Sequence, residues 1–396
     1  MKNNIFLSEP ALVCCAGLNK EQLYESCLNG FQGGITPQKM SCCKEEFPIG
    51  LIKKELPKPD FPQFGKPEYS CDTRIFRLIN AAAVQLRPAV DKALSKYGEK
   101  RIGVCFGTCD NGSEASFTAH KAFFENGEFP GDYSLRFQSA SFSAEFLSFL
   151  FGLGGPVLTV ATACASGASA IVRGAELIRA GFCDAVIAGG ADVVSQTVFA
   201  GFHALEAVSD SLTNPFSKNR KGINLGEAAA FFLLEKEEIS DIELLGSGES
   251  ADAYHMTAPG KDGEGPAKAM KAALSAAQVN SEKIDYVNLH GTGTELNDKA
   301  EALAMNAVFS SAPAASSTKP LTGHTLGAAG ALEAAICWLS INCKKGLPLH
   351  CWDGVKDEEV PFVPCAGSLK TPSICMSNSF AFGGCNVSLI LGRRSS

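Results

Sequence analysis

Residues 162–167 read T-A-C-A-S-G, inside an uncharged run from Phe146 to Val172. How that run is read decides the fold. By length alone it is a candidate membrane span. Its interior argues against one. Gly152, Gly154, Gly155 and Pro156 cluster where a spanning helix has to be continuous. V-L-T-V-A-T then follows, short and β-branched like a buried strand. After Cys164, the stretch A-S-G-A-S-A-I-V-R-G-A-E-L-I-R-A-G reads as a helix ending at Gly181. The run is expected to be helix, turn, strand and helix, buried on all sides.

The same grammar recurs along the chain. R-I-G-V-C-F-G-T (101–108) is a strand running into a small-residue loop, and D-A-V-I-A-G-G-A-D (184–192) a buried strand ending in glycines. I-D-Y-V-N-L-H-G-T-G-T (284–294) is a strand ending at His290, with Asn297 and Asp298 expected to cap the helix after it. I-C-M-S-N-S-F-A-F-G-G-C-N-V-S-L-I-L (374–391) reads as strand, glycine turn, strand. Alternating strands and helices predict an α/β protein with mainly parallel connections. A charged break, L-L-E-K-E-E-I-S-D-I-E, marks a boundary near 235–243, and 10–75 reads as loops and short helices decorating the first half.

Composition narrows the function. The chain has 396 residues, enough for two domains or one duplicated domain. It is 45% hydrophobic and 19% charged, a globular balance. The net charge of −7 excludes nucleic-acid binding through a global basic field. M-K-N-N-I-F-L-S-E-P is too short in apolar residues for a signal peptide. Sixteen cysteines with no C-x-x-C pair and no zinc-like spacing predict a reduced, cytoplasmic protein without a metal or cofactor.

Among those cysteines Cys164 stands apart, because it sits where a strand turns into a helix. Helix N-terminal amides favour a thiolate, the nucleophilic form. Of six histidines, His290 and His324 lie at glycine-bounded edges between strand and helix, where α/β folds place their sites. C164-A-S-G-A-S-A-I and H324-T-L-G-A-A-G-A-L also resemble one another, each with Gly three places on and a helix of very small residues. A duplicated unit would bring the two helix starts together, and Cys164 and His324 with them.

Four motifs in order resemble the β-ketoacyl-[acyl-carrier-protein] synthases of the elongating, Cys-His-His class. They are T-A-C-A-S-G, V-N-L-H-G-T-G-T-E-L-N-D-K-A-E, S-T-K-P-L-T-G-H-T-L-G-A-A-G-A-L-E-A and N-S-F-A-F-G-G-C-N. The resemblance runs from about Arg101 to the C-terminus. It implies a thiolase-like duplicated α/β fold in five layers, α-β-α-β-α. The halves would be 1–238, with inserted cap segments and the nucleophile, and 239–396, with both histidines. It also implies a decarboxylative Claisen condensation. An acyl chain on Cys164 would be joined to malonyl-acyl carrier protein, giving a 3-oxoacyl carrier and CO2. His290 and His324 would hydrogen-bond the malonyl thioester oxygen. The backbone amides of Cys164 and Phe382 would form the oxyanion hole, with Phe382 as a gate. Lys319 and Glu333 would form a buried network fixing His324. Thr292 and Thr294 would hold the pantetheine arm, Phe202 would line the acyl pocket, and Asp298 and Glu301 would be structural.

Two departures bear on the substrate. Ala381 stands where the family has a first glycine before F382-G383-G384, and is expected to stiffen the gate or to change how it opens. F216-S217-K218-N219-R220-K221-G222-I223-N224 also differs from the usual form, resembling synthases of specialised pathways such as aryl polyene clusters. Thr108, Cys109 and Asp110 are expected near a dimer interface. The implied partners are acyl carrier protein and a second copy, or a paralogous chain-length factor. An acidic carrier needs a basic patch, for which Arg74 with Arg77, or Lys218, Arg220 and Lys221, are candidates. Two other readings share the fold. A thiolase needs a second catalytic Cys, and Cys385 lies on the wrong side of its glycines. A chain-length-factor subunit lacks the nucleophile, which Cys164 supplies.

Overall fold

The structure is a computed structural model that describes residues 4–59, 72–110, 112–131, 133–362, 364 and 371–393. In chain order the first part comprises β1 (Phe6–Leu7), β2 (Ala11–Cys14), α1 (Lys20–Asn29), the hairpin β3 (Ile35–Lys39) and β4 (Glu46–Gly50), and α2 (Arg74–Tyr97). It continues with β5 (Ile102–Gly107), α3 (Ser113–Asn126), α4 (Ala140–Phe151), β6 (Val157–Val160), α5 (Ser166–Arg179), β7 (Ala185–Asp192), α6 (Gln196–Ala204) and β8 (Ala228–Glu235). The second part comprises β9 (Glu243–Ala251), α7 (Glu264–Ala277), β10 (Tyr286–Asn288), α8 (Glu295–Val308) and β11 (Ala314–Ser316). The short α9 (Lys319–Thr322), α10 (Ala329–Cys343), β12 (Ile374–Phe380) and β13 (Cys385–Gly392) complete it.

The two parts repeat one topology. The first has strand order β6-β5-β7-β8-β2 and the second β11-β10-β12-β13-β9. In each, the first two pairings are parallel and the last two antiparallel, so only the fourth strand runs against the others. Parallel connection is thus only half of the pairing, because β12 and β13 are joined by the tight turn at 381–384, which forces antiparallel strands. The two-residue β1 pairs antiparallel with both β8 and β9, stitching the units into one eleven-stranded ladder.

The layers follow from side-chain size. α5 and α10 lie between the sheets and pack on each other, with β5 and β7 against α5 and β8 and β12 against α10. Close approach requires small residues. A Cβ on Gly167 would come within 2.7 Å of the Gly327 carbonyl, and one on Gly330 within 2.7 Å of the Ala168 Cβ. α2 and α4 cover the outer face of the first sheet, while α7, with α8 beside it, covers that of the second. This is the five-layer arrangement, with an apolar core in each of the spaces between layers. Leu326–Cys343 is long and apolar enough to cross a membrane, but 89% of it is buried inside the fold. Its uniform hydrophobicity is that of a central helix.

Two local expectations are corrected. β6 is half-exposed, with Leu158 at 40%, because it has a ladder partner on one side only among the described residues. The helix after His290 starts at Glu295 with Thr294 as N-cap. Asp298, expected to cap it, is instead buried within its first turn, where it accepts hydrogen bonds from the amides of Phe216 (2.7 Å) and Gly293 (3.1 Å).

Candidate active site

Both central helices open with a 3-10 turn, residues 163–165 before α5 and 326–328 before α10. Each turn begins with a non-glycine residue in the left-handed region, Ala163 at φ 48° and Leu326 at φ 54°. Such backbone costs about 1–3 kcal/mol and persists only where surrounding structure fixes it. The shared distortion sets the register of the repeat. A163-C164-A165-S166-G167 aligns with L326-G327-A328-A329-G330. The twin of Cys164 is therefore Gly327, three residues beyond His324. His324 belongs to the lead-in of its turn, and that lead-in brings its Nε2 to 3.0 Å from the Cys164 Sγ.

The backbone of His324 is gripped on both sides. Its N–H donates to the Asn224 carbonyl at 2.6 Å, and its carbonyl accepts from Gly226 at 3.0 Å. Asn224 is held in turn, its Oδ1 accepting from the Thr213 amide (2.7 Å) and its Nδ2 donating to the Ser211 carbonyl (2.9 Å). The 224–226 segment escaped sequence reasoning as a support for His324; its signal was a buried Asn between Ile223 and Leu225. Among the described residues the Nδ1 of His324 has no hydrogen-bond partner. A buried bare lone pair is cheaper than an orphaned N–H, so the proton belongs on Nε2, facing the sulfur.

His290 is built differently. Its amide and that of Gly291 donate to the buried Glu301 carboxylate at 2.8 and 2.7 Å. Its Nδ1 lies 3.4 Å from the Lys319 Nζ. An ammonium only donates, so Nδ1 accepts and Nε2 carries the proton. Lys319 also pairs with Glu333, both essentially buried. The Lys319–Glu333 network thus touches His290 rather than His324. The two imidazole rings stand 5.5 Å apart, nearly perpendicular.

Burial sets the charges. It holds His290 and His324 well below the ordinary histidine value, with the Lys319 charge adding to the effect. Both imidazoles are neutral. Burial also pushes the Cys164 thiol up to about 12, against a lowering by Lys319. Cys164 therefore rests as a thiol, not the thiolate that a helix start alone predicts; desolvation outweighs the open amides of α5.

Cys164, His290 and His324 share a cavity of about 450 Å³ with Phe202, Thr292, Thr294, Phe380 and Phe382. Phe202 and Phe382 face each other at 5.6 Å between ring centroids, and the hydroxyls of Thr292 and Thr294 lie 2.9 Å apart. The turn carrying Phe382 packs against the turn carrying Cys164. Ala381 adopts ordinary extended backbone (φ −103°), so the alanine adds no strain; Gly383 and Gly384 carry the positive φ. Gly383 donates to the Met256 carbonyl at 2.7 Å, so the segment 252–259, which also lines the cavity with His255, supports the turn. Sequence reasoning missed that segment, which carries no motif.

The expected docking cations are largely occupied. Arg74 pairs with buried Glu227, and Arg77 with Asp72. Arg220 is buried against Asp357, and Lys221 pairs with Asp210 at the surface. Thr108, Cys109 and Asp110 converge on Asp192, another residue missed in the sequence. His350 is a satisfied core histidine, bonded by the Ser317 amide at 3.2 Å.

Comparison with known proteins agrees with this geometry. Residues 64–239 match the beta-ketoacyl synthase N-terminal domain and 242–350 the C-terminal domain. The chain belongs to the β-ketoacyl synthase family, and it is an acyltransferase of the ketosynthase class. It is 37% identical to the 3-oxoacyl-[acyl-carrier-protein] synthase 2 of Vibrio cholerae, over 79% of this chain and 81% of that one. Among solved structures it resembles the ketosynthase ApeO in complex with its chain length factor ApeC from Xenorhabdus doucetiae (TM-score 0.90, 36% identity, 99% and 98% covered). It also resembles the ishigamide ketosynthase/chain length factor (TM-score 0.85, 29% identity, 99% of each chain covered).

Proposed function

We propose that Cys164, His290 and His324 divide a decarboxylative condensation between them. The observation that carries this reading is the 3.0 Å contact of the His324 Nε2 with the Cys164 Sγ, beside His290 in one cavity. In the first half-reaction Cys164 attacks the thioester carbonyl of an acyl carrier. The acyl–sulfur bond to the carrier breaks, and the departing carrier thiol takes up the proton that the Cys164 thiol gives up. After acylation the Nε2–H groups of both histidines remain as donors facing the cavity that the second substrate enters. In the second half-reaction they donate to the thioester oxygen of a malonyl carrier. The bond to the carboxylate breaks, CO2 leaves, and the enolate oxygen holds the charge. The enolate carbon attacks the acyl–Cys164 carbonyl, and the amides of Cys164 and Phe382 receive the tetrahedral oxyanion. One such donor is worth about 3 kcal/mol of barrier. Collapse releases the 3-oxoacyl carrier, and Cys164 regains a proton from solvent. Lys319 holds the tautomer of His290, while Thr292 and Thr294 receive the pantetheine arm.

The partners are an acyl carrier protein and a second ketosynthase-fold chain. Support for the second comes from the half-exposed β6 and from Phe124 and Leu135, exposed at 83% and 72% on the same half. We treat 1–238 and 239–396 as the halves of the duplication, supported by their matching strand orders. A reducing, cytoplasmic setting suits fourteen described cysteines that are all free. Labelled malonyl carrier with an acyl carrier tests the function. Release of CO2 with a 3-oxoacyl product is expected, and the absence of both would leave only a non-catalytic partner subunit.

A further inference from the structure

The twin relation of Cys164 and Gly327 exposes a residue with no part in the chemistry above. Asp192 ends β7 and is fully buried. Its carboxylate meets four donors. Thr108 Oγ1 donates to Oδ1 at 2.7 Å, and the Asp110 amide to Oδ1 at 3.1 Å. The Cys109 amide donates to Oδ2 at 2.9 Å, and the Gly327 amide to Oδ2 at 2.6 Å. Gly327 leaves no room for anything else: a Cβ there would lie 2.4 Å from Oδ2 and 2.8 Å from the Thr108 Cα.

The amide of Gly327 is the twin of the Cys164 amide. In one half that amide belongs to Cys164, which lines the reaction cavity. In the other a resident carboxylate oxygen occupies the equivalent position at hydrogen-bond distance. The same carboxylate ties together two segments that reach the catalytic pair. The 326–328 turn begins two residues after His324. The Thr108 carbonyl lies 3.4 Å from the Ser166 hydroxyl, and that hydroxyl bonds the Ala163 carbonyl (2.6 Å) and the Thr162 amide (2.9 Å) around Cys164.

We propose that Asp192 is a positioning residue: an internal carboxyl group that plugs the twin of the nucleophile's oxyanion hole and sets the placement of His324 against Cys164. The proposal rests on the ketosynthase reading only for what the pair does, not for how it is held. Every partner of the carboxylate is a donor, so an amide of the same shape must turn its NH2 toward at least one N–H or O–H.

The experiment compares the wild type, Asp192→Asn, His324→Ala and the double variant, each checked for folding by thermal melting. The first readout is the rate of iodoacetamide alkylation at Cys164, followed by mass spectrometry of the Cys164 peptide. It needs no carrier protein, so it stands even where condensation is not observed. D192N is expected to change that rate several-fold in the wild-type background and to change it little once His324 is gone. The second readout is condensation, where kcat is expected to fall about 10- to 100-fold while KM for the malonyl carrier stays within about threefold. An equal effect of D192N with and without His324, or an unchanged kcat in folded enzyme, would overturn the proposal. Thr108→Val removes one donor and leaves the carboxylate in place. It is expected to lower kcat a few-fold, and should D192N not fold, an unchanged kcat in T108V overturns the proposal.

Discussion

The turns at 163–167 and 326–330 have the same backbone and opposite contents. Both begin with a strained non-glycine residue, and both lead into a helix of small residues between the sheets. The first carries a thiol at its second position and faces a cavity. The second carries glycine there and is closed by the carboxylate of Asp192. One backbone geometry thus occurs twice, and in the reading proposed above one copy serves the chemistry and the other supports it. The histidine that touches Cys164, His324, comes from the lead-in to the turn, three residues before the twin position Gly327.

The sharpest way to break this comparison is to make one substitution at both twins. Cys164→Ala should lower condensation by about 10,000-fold or more while leaving the melting temperature within a few degrees, since the thiol packs as a small apolar group. Gly327→Ala should do the reverse in kind, destabilising the fold by about 1–3 kcal/mol in chemical denaturation, because the new Cβ overlaps backbone as well as Asp192. Retained elongation in C164A, or an unperturbed fold in G327A, would remove the distinction between the turns.

His290→Ala should next reduce malonyl decarboxylation by about 100- to 1,000-fold, measured as CO2 release. Acylation of Cys164 should survive within about tenfold, since His290 acts on the second substrate. Equal loss in both half-reactions would contradict the division of roles.

Lys319→Met addresses the charges. The lysine disfavours an imidazolium on both histidines, so removing it raises their pKa values. In the wild type the histidines stay neutral below the ordinary histidine value, and kcat should show no inflection near pH 6.5. In K319M the acidic limb should move to higher pH. An unmoved limb would mean that the lysine does not act on the histidines. The smallest effect is expected from Ala381→Gly: Ala381 is unstrained, so kcat should change by no more than about twofold.

Much of this was legible in the sequence because each part rested on local chemistry. Short β-branched strands and Ala/Gly-rich helices announced the buried layers, and Cys164, His290 and His324 stood at the ends of such elements. What failed was long-range. The sequence aligns Cys164 with His324, since both have Gly three places on in a chain with 39 glycines; the positive φ of Ala163 and Leu326 moves the register to Cys164 against Gly327. β6 reads as fully buried because edge exposure depends on which strand lies beside it. Lys319 lies nearer His324 in sequence, whereas the fold brings it to His290, 29 residues away. Asp192 looks like any acidic strand end, and its four donors come from two distant segments.

The most direct test is mass spectrometry of the intact protein and of its Cys164 peptide during a single turnover. After incubation with an acyl carrier, one acyl group is expected on Cys164. Addition of malonyl carrier should then discharge it, with one CO2 released for each 3-oxoacyl carrier formed. An acyl group on another residue, or one on Cys164 that malonyl carrier does not discharge, would contradict the account.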